Sequence, residues 1–376
     1  MSNANTLRDN IIEKLTDRLF SAVSGDDTLG RPPLPAFVYD GRAFNPRQWE
    51  RNIVQERNEA GLEEYKVSYE APDHLLALIL HFRIYAEYPV LEWDVELSAI
   101  GKKDTGEIDA FRSICLEIPA VENCRINARG NYGCKGRLDD FQPRTFQLNS
   151  RYPDNSLRLD TDDCGASSAW LPYFNFDFDE NNGFELGIGW AGNWTLNAFL
   201  DEGNLSLEAG MKRSRFILHP GERIFAPSIY VMLRDGLNTA EAQILHRRFF
   251  NEYHSIKDSK GAMLPPPQSY AMPGNAGQAR LLEALESIAK AGGNALEITR
   301  GWNGKAKGGL VAAQTPAMES LGDWKPNDQL YPDGFATLAA AAAAKKISLV
   351  LWLDICSAHP KSDVAASRCS RANSAP

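Results

Sequence analysis

Two spacings of apolar residues divide this sequence. Over residues 26–260, short runs alternate between apolar and polar positions, and Gly, Asn, Asp or Pro interrupts them about every ten residues. The clearest run is 90–100, which has charge on one face and on the other face Leu91, Trp93, Val95 and Leu97. Because side chains of a strand point alternately to its two faces, this pattern predicts a large antiparallel β-sandwich.

Helical spacing occurs at both ends of this β-rich region. Apolar residues such as Leu15 and Leu19 recur three to four positions apart and predict an N-terminal helical segment over residues 1–25. Residues 240–253 predict a second helix, and a Pro- and Gly-rich stretch follows at 259–270. We place the domain boundary in that stretch, between residues 260 and 261.

After the prolines the pattern changes to alternating strands and helices. The predicted elements are a strand at 269–272, a helix at 278–291, a strand at 294–299, a helix at 335–346 and a strand at 347–353. This order is typical of a parallel sheet. An eight-fold barrel takes about 250 residues, whereas 268–376 has room for three strands. We therefore expect 261–376 to form a partial, truncated (β/α) barrel.

The loops after parallel strands carry the chemistry in such folds. The side chains at these positions are Arg300, Trp302, Asp323, Trp324, Trp352 and Asp354. Indoles and carboxylates on one rim suit a carbohydrate, because a sugar presents C–H faces for stacking and hydroxyls for hydrogen bonding. The alternative is that the tryptophans pack under the loops.

In the β-rich region, the sequence WAGNW places Trp190, Asn193 and Trp194 on one short loop. Gly192 can adopt a positive φ, which would present the asparagine and the second indole together. The loop is either a ligand-binding element or a plain hairpin turn. Asp139 and Asp140 are adjacent, so we interpret them as turn-forming rather than catalytic.

Composition narrows the classes of partner. With 40 Lys and Arg against 49 Asp and Glu, the net charge is −9, and we expect no nucleic-acid partner. No segment has the length and apolarity of a membrane span or signal peptide, which predicts a cytoplasmic protein. The six cysteines lack C-x-x-C spacing and read as reduced thiols, although Cys124 and Cys134 could pair in an exported protein. The histidines show no metal-binding spacing, so we predict neither metal nor cofactor.

Several segments, in order, resemble glycoside hydrolase family 36, the α-galactosidase (melibiase) group. Those of the β-rich region are YPVLEWDVEL (88–97), GRLDDFQP (136–143), GASSAWLPYFNFD (165–177), GIGWAGNWTLNAF (187–199) and LHPGERIFAPSIYVML (218–233). Those that follow are GW (301–302), GDWKPN (322–327), YPDGF (331–335) and LVLWLD (349–354). The resemblance implies an N-terminal β-supersandwich followed by a catalytic TIM barrel.

The resemblance also implies retaining hydrolysis of α-galactosides by two aspartates on later barrel strands. On this alignment both lie beyond residue 376, so we assign no catalytic residue and expect the polypeptide as given to be inactive. The resemblance implies homo-oligomers and an oligosaccharide or α-galactoside ligand. The expected substrate-binding residues are Trp190, Asn193, Trp194, Trp302, Asp323, Trp324, Trp352 and Asp354.

One departure from the family pattern concerns specificity. Where relatives carry aspartates that hold galactose hydroxyls, this sequence has Thr299 and Arg300. Arginine offers donors and no acceptor, so the sequence does not predict a galactose preference. Two alternatives to an α-galactosidase-like hydrolase are a non-catalytic carbohydrate-binding or assembly module and a gene fragment. A fragment should associate through its open sheet edge.

Overall fold

The computed structural model describes residues 2–24, 34–59, 61–119, 125–150, 155–161, 165–201, 204–303, 321–353, 358–360 and 362–365. The chain divides into two compact units, Met1–Ser255 and Ile256–Pro376. The division lies five residues before the boundary predicted at the proline-rich stretch. Assignment of the units as the predicted domains stays a prediction.

The first unit begins with a helix and continues as strands. Helix α1 spans Ser2–Ser24, and helix α2 spans Thr239–Phe249 and is followed by a π-helical turn, Phe250–His254. The strands between the helices are β1 (Ala36–Tyr39), β2 (Arg42–Ala43), β3 (Glu50–Glu59), β4 (Leu62–Glu70), β5 (Leu76–Tyr85), β6 (Val90–Ala99), β7 (Ile108–Pro119), β8 (Arg125–Asn131), β9 (Pro143–Asn149), β10 (Ser156–Asp160), β11 (Tyr173–Asp177), β12 (Gly183–Gly189), β13 (Trp194–Asp201), β14 (Asn204–Met211), β15 (Arg215–Phe216) and β16 (Arg223–Arg234).

These strands form two sheets in which hydrogen-bonded neighbours are antiparallel. Among the described residues, the larger sheet has the strand order β3-β4-β5-β6-β16-β12-β11-β8-β9. The smaller sheet has the order β10-β13-β14-β7-β1-β2, with β15 also paired to β7. The indole Nε1 of Trp93 in β6 donates to the carbonyl oxygen of Ser113 in β7, 3.3 Å away, and so links the two sheets. The predicted antiparallel β-sandwich is confirmed.

The core between the sheets follows the predicted alternation. The inward-facing residues of β6 are fully or almost fully buried in one hydrophobic cluster, as are Val67 and Tyr69 of β4. Helix α1 adds Leu15 and Leu19 to the same cluster. Burial of large apolar side chains, each worth about 1.5–3 kcal/mol, is therefore the main force that holds the sheets together.

The outer face of β6 differs from the prediction. Alternation places Glu92 on a charged, solvent-facing side, but the residue is only 5 % exposed. The reason is that Phe249 of α2 and Tyr253 of the π-helical turn pack with Tyr85 and Tyr230 over this face of the larger sheet. A strand whose two faces are both covered cannot be recognised from period-two alternation alone.

The second unit contains the predicted strands and helices in the predicted order. They are β17 (Ser269–Met272), α3 (Gly277–Ala291), β18 (Ala295–Ile298), α4 (Ala336–Ala344) and β19 (Ser348–Leu351). Strand β18 lies between β17 and β19, and both pairs are parallel. Leu281, Leu285 and Ile288 of α3 pack with Leu296 and Ile298 of β18 in a second hydrophobic cluster. Pairing with β18 alone leaves β17 and β19 at the edges of the described sheet.

Candidate functional site

The carboxyl ends of the three parallel strands meet at one edge of the sheet. The backbone N–H of Gly274, after β17, donates to the carbonyl oxygen of Arg300, after β18, at 2.9 Å. The N–H of Trp352, after β19, donates to the carbonyl oxygen of Ile298 at 3.0 Å. This parallel register brings the predicted residues of two loops, those after β18 and β19, to the same edge, which we call the strand-end site. It comprises Arg300, Trp302, Asp323, Trp324 and Trp352.

Trp302 forms the floor of the strand-end site. Its side chain is 2 % exposed, and its ring centroid lies 6.2 Å from that of Trp324 and 5.7 Å from that of Phe335. Its indole Nε1 donates to the carbonyl oxygen of Trp352 at 3.0 Å. A buried indole with a satisfied N–H serves packing. Ligand contact by Trp302 would need a rearrangement, and that role stays a prediction.

Trp352 and Arg300 form the exposed part of the site. Trp352 is 48 % exposed, and the guanidinium carbon of Arg300 lies 4.8 Å from the centroid of its ring. This distance is within the range of a cation–π interaction. An indole with half of its surface accessible can still stack against a sugar ring. Of the predicted tryptophans at the strand ends, Trp352 is the most accessible to a ligand.

Asp323 already accepts hydrogen bonds from other residues of the protein. Its two carboxylate oxygens accept from the backbone N–H of Asp363 at 2.9 and 3.2 Å. Its own backbone carbonyl accepts from the N–H of Lys325 at 2.8 Å. These contacts give Asp323 a role in fixing its own loop, although a carboxylate has further lone pairs for a ligand hydroxyl. Trp324 is half-buried against Trp302. Asp354 lies outside the described residues.

Two residues important to this edge were not predicted. Gly274 is buried, and a Cβ at this position would lie 2.4 Å from the backbone nitrogen of Trp302. Tyr331, which is 1 % exposed, donates its hydroxyl hydrogen to the carbonyl oxygen of Gly274, and its burial raises its pKa to about 12. The YPDGF segment contains Tyr331, but nothing in a single sequence reveals this tertiary contact.

In the first unit, the WAGNW loop is anchored to the sandwich. Trp194 is fully buried, and its Nε1 donates to the carbonyl oxygen of Ala166 at 2.6 Å. Asn193 Oδ1 accepts from the hydroxyl of Thr161 at 3.3 Å, and Trp190 packs half-buried against the core. These contacts favour the packing interpretation for Trp194, while the substrate-binding role of the loop stays a prediction.

The conformation predicted for Gly192 is wrong. Gly192 does not have a positive φ. Instead, a Cβ there would lie 2.6 Å from Nε1 of Trp190, so a larger residue would force the indole, which passes close to the backbone, to move. Spacing along the chain could not distinguish these two reasons for a glycine, since the close approach depends on the rotamer of Trp190.

A cavity of about 320 Å³ lies in the sandwich unit. It is lined by the rings of Tyr132 and Trp170, whose centroids are 4.8 Å apart and whose planes are tilted by 41°, and by charged residues that include Asp139. Asp140 accepts backbone hydrogen bonds from Lys135, Gly136 and Arg137, and the hydrogen bond from Lys135 contributes most to lowering its pKa. Asp140 is therefore turn-forming, as predicted.

Three further observations concern metal binding, membrane spans and the predicted pairing of cysteines. Within the described ranges, no group of three or more His, Cys, Asp or Glu residues could hold a metal ion. None of the described helices is long and apolar enough to cross a membrane. Cys134 has a free, exposed thiol. Its alternative pairing partner, Cys124, lies outside the described residues.

Comparison with known proteins identifies the fold. No protein-family model matches the sequence, and no curated protein matches it. Among solved structures, the α-galactosidase AgaA of Geobacillus stearothermophilus, from glycoside hydrolase family 36, matches 90 % of this chain and 48 % of its own at 13 % identity, with a TM-score of 0.58. The α-galactosidase of Lactobacillus brevis matches 90 % of this chain and 46 % of its own at 13 % identity, with a TM-score of 0.57.

The galactosidase domain of the α-galactosidase–sucrose kinase AgaSK gives a TM-score of 0.60 at 13 % identity, over 90 % of this chain and 48 % of that chain. The chain thus has the fold of family 36 α-galactosidases over about half the length of these structures. At this level of identity the likeness shows the fold alone. AgaA variants are known in complexes with raffinose and stachyose.

Proposed function

We propose that this protein is a glycoside-binding protein of the α-galactosidase type, in which the parallel unit is part of a TIM-type barrel. The observation that carries the proposal is the strand-end site, where the exposed indole of Trp352 contacts Arg300 at the carboxyl ends of two neighbouring parallel strands. In barrels of this type the carboxyl ends of the strands form the active site. The likeness to α-galactosidase folds supports an α-galactoside as the ligand.

Catalysis needs a pair of carboxyl groups, which the residues of the strand-end site do not supply. Retaining hydrolysis requires two carboxyl groups about 5 Å apart, one as nucleophile and one as acid/base. Among the five residues that define the strand-end site, Asp323 alone carries a carboxylate, and it already accepts from the N–H of Asp363. We therefore propose that this polypeptide alone binds glycosides without hydrolysing them.

The test combines turnover and binding. The full chain is assayed with a nitrophenyl α-galactoside and titrated calorimetrically with galactose, melibiose and raffinose. We expect saturable binding that is weakened by Trp352→Ala, and no turnover. Turnover that survives purification and is abolished by Trp352→Ala would contradict the non-catalytic part of the proposal.

A second candidate is a carbohydrate-binding module whose site is the sandwich cavity. The contact between the rings of Tyr132 and Trp170, beside acidic side chains, favours it. Trp170→Ala separates the candidates, because it should weaken binding only if the sugar occupies that cavity. Binding that depends on Trp170 and not on Trp352 would transfer the function to the sandwich.

Two further predictions concern the oligomeric state and the cellular location of the protein. The resemblance favours a homo-oligomer, and light scattering with size-exclusion chromatography measures the oligomeric state directly. A cytoplasmic location, predicted from the sequence, agrees with the free thiol of Cys134. Labelling of that thiol in intact and lysed cells tests whether it remains reduced.

A further inference from the structure

The backbone of Arg300 is held at the strand end. Its carbonyl oxygen accepts from the N–H of Gly274 at 2.9 Å, which ties it to the loop after β17. The next residue, Gly301, has φ of +96°, and a Cβ there would lie 3.2 Å from the backbone nitrogen of Asn275. The chain therefore turns sharply after Arg300 and presents its side chain at a defined point of the strand-end site.

The guanidinium of Arg300 stacks on an indole and has no anionic partner in the described part of the chain. Its guanidinium carbon lies 4.8 Å from the centroid of the Trp352 ring. In contrast, Arg83, Arg129 and Arg234 each contact a carboxylate. A stacked guanidinium keeps its in-plane N–H groups available, and their fork matches the two oxygens of a carboxylate or sulfate.

The chemistry of the Arg300 guanidinium also favours an anion. The carboxylate of Asp323, in the same site, accepts from the N–H of Asp363. A neutral sugar hydroxyl can accept from Arg300, but a charge-assisted pair is roughly twice as strong as a neutral hydrogen bond.

We propose that the strand-end site binds a glycoside whose sugar ring carries an anionic substituent, a carboxylate or a sulfate ester, paired with Arg300. This inference rests on the proposed function and specifies its ligand. The C–H face of the ring stacks on the exposed part of Trp352, while the anion lies in the plane of the guanidinium. The role of Arg300 is binding and specificity, and no bond is made or broken.

Calorimetric titration of the full chain tests the inference with three probes: galactose, galacturonate and galactose 6-sulfate. We expect at least one anionic sugar to bind about tenfold more tightly than galactose at low ionic strength. The preference should shrink as salt is added, because exposed charges are screened. Preference for galacturonate identifies a carboxylate ligand, and preference for the sulfate identifies an ester.

Variants test whether Arg300 causes the preference for an anionic sugar over galactose. Arg300→Gln should abolish the preference by weakening the anionic sugar more than galactose, and Arg300→Lys should keep part of the preference because the charge remains without the fork. Lys290→Gln removes an exposed charge from α3 and is the matched control; it should change nothing. Circular dichroism confirms that each variant is folded, and if Arg300→Gln does not fold, the Arg300→Lys comparison decides.

The outcomes distinguish this inference from the proposed function. If galactose binds as tightly as both anionic sugars, or if Arg300→Gln keeps the preference, the anionic ligand is wrong and glycoside binding stands. If the folded chain binds none of the three sugars, the proposed function fails and this inference fails with it.

Discussion

The indole N–H of Trp302 donates to the backbone carbonyl of Trp352 across 3.0 Å. One contact thereby joins the loop after β18 to the loop after β19 and gives the two tryptophans different roles. Trp302 is buried and holds the edge together, whereas Trp352 receives a hydrogen bond through its backbone and leaves its ring accessible. The same pair explains why two residues of one type should respond differently to substitution.

Trp302→Phe should destabilise the protein by about 1–2 kcal/mol. The phenyl ring keeps part of the packing against Phe335, but the carbonyl of Trp352 loses its buried donor. Urea unfolding monitored by circular dichroism gives the free energy. Trp352→Phe is the control: its backbone carbonyl is retained and its ring is half exposed, so its cost should be smaller. Equal costs for both variants would refute this division of roles.

Gly274→Ala should destabilise the second unit by about 2–3 kcal/mol, because overpacking against backbone atoms cannot relax easily. The added Cβ would lie 2.4 Å from the nitrogen of Trp302 and 2.8 Å from the carbonyl oxygen of Thr299. Gly221→Ala provides a comparison, since its φ is +79° but no atom lies within 4 Å of the added Cβ. It should cost only about 1 kcal/mol of left-handed strain. Thermal unfolding that ranks the two variants in the opposite order would count against the packing argument.

Glu92→Gln should destabilise the sandwich at neutral pH by about 1–3 kcal/mol. Burial raises the pKa of Glu92, but contacts with His254 Nε2 at 2.8 Å and the Tyr85 hydroxyl at 2.6 Å, together with the charge of Arg83, outweigh it and lower the pKa overall. A lowered pKa in the folded state stabilises the protein above the unfolded value of about 4.3, and this contribution disappears as pH falls through the folded value.

The difference in stability between wild type and Glu92→Gln should therefore be largest near pH 7 and shrink below about pH 4. Urea midpoints measured across that range test the sign. Glu96→Gln, on the same face of β6 but only half-buried, is the matched control and should show little pH-dependent difference. A difference in stability between the two proteins that grows as the pH falls would show that Glu92 is not stabilised in its ionised form.

Asn238→Ala should cost about 1 kcal/mol by removing the N-cap of α2. Asn238 Oδ1 accepts from the N–H groups of Ala240 and Glu241, and the Glu241 carboxylate accepts from the N–H of Asn238, which completes a capping box. Gln243→Ala, at an exposed position inside the helix, should be neutral or slightly stabilising. Chemical denaturation of the two variants in parallel measures the difference.

Much of the secondary structure could be read from local spacing. The alternation at 90–97 predicted β6, and the breaker-free Ala-rich run predicted α4, because side-chain direction within an element is set by backbone geometry. Apolar runs likewise predicted where the strands of the second unit end. Their residues could therefore be proposed for one edge before any contact was known.

What lies on each side of an element depends on segments far away in the chain. Period-two spacing marks Glu92 as solvent-facing, yet α2, some 150 residues later, covers it. Trp302 and Trp352 both follow apolar strands in the sequence, but packing against Phe335 and Trp324 buries only the first. Local backbone geometry sets the direction of a side chain, whereas burial is a property of neighbours that folding brings together.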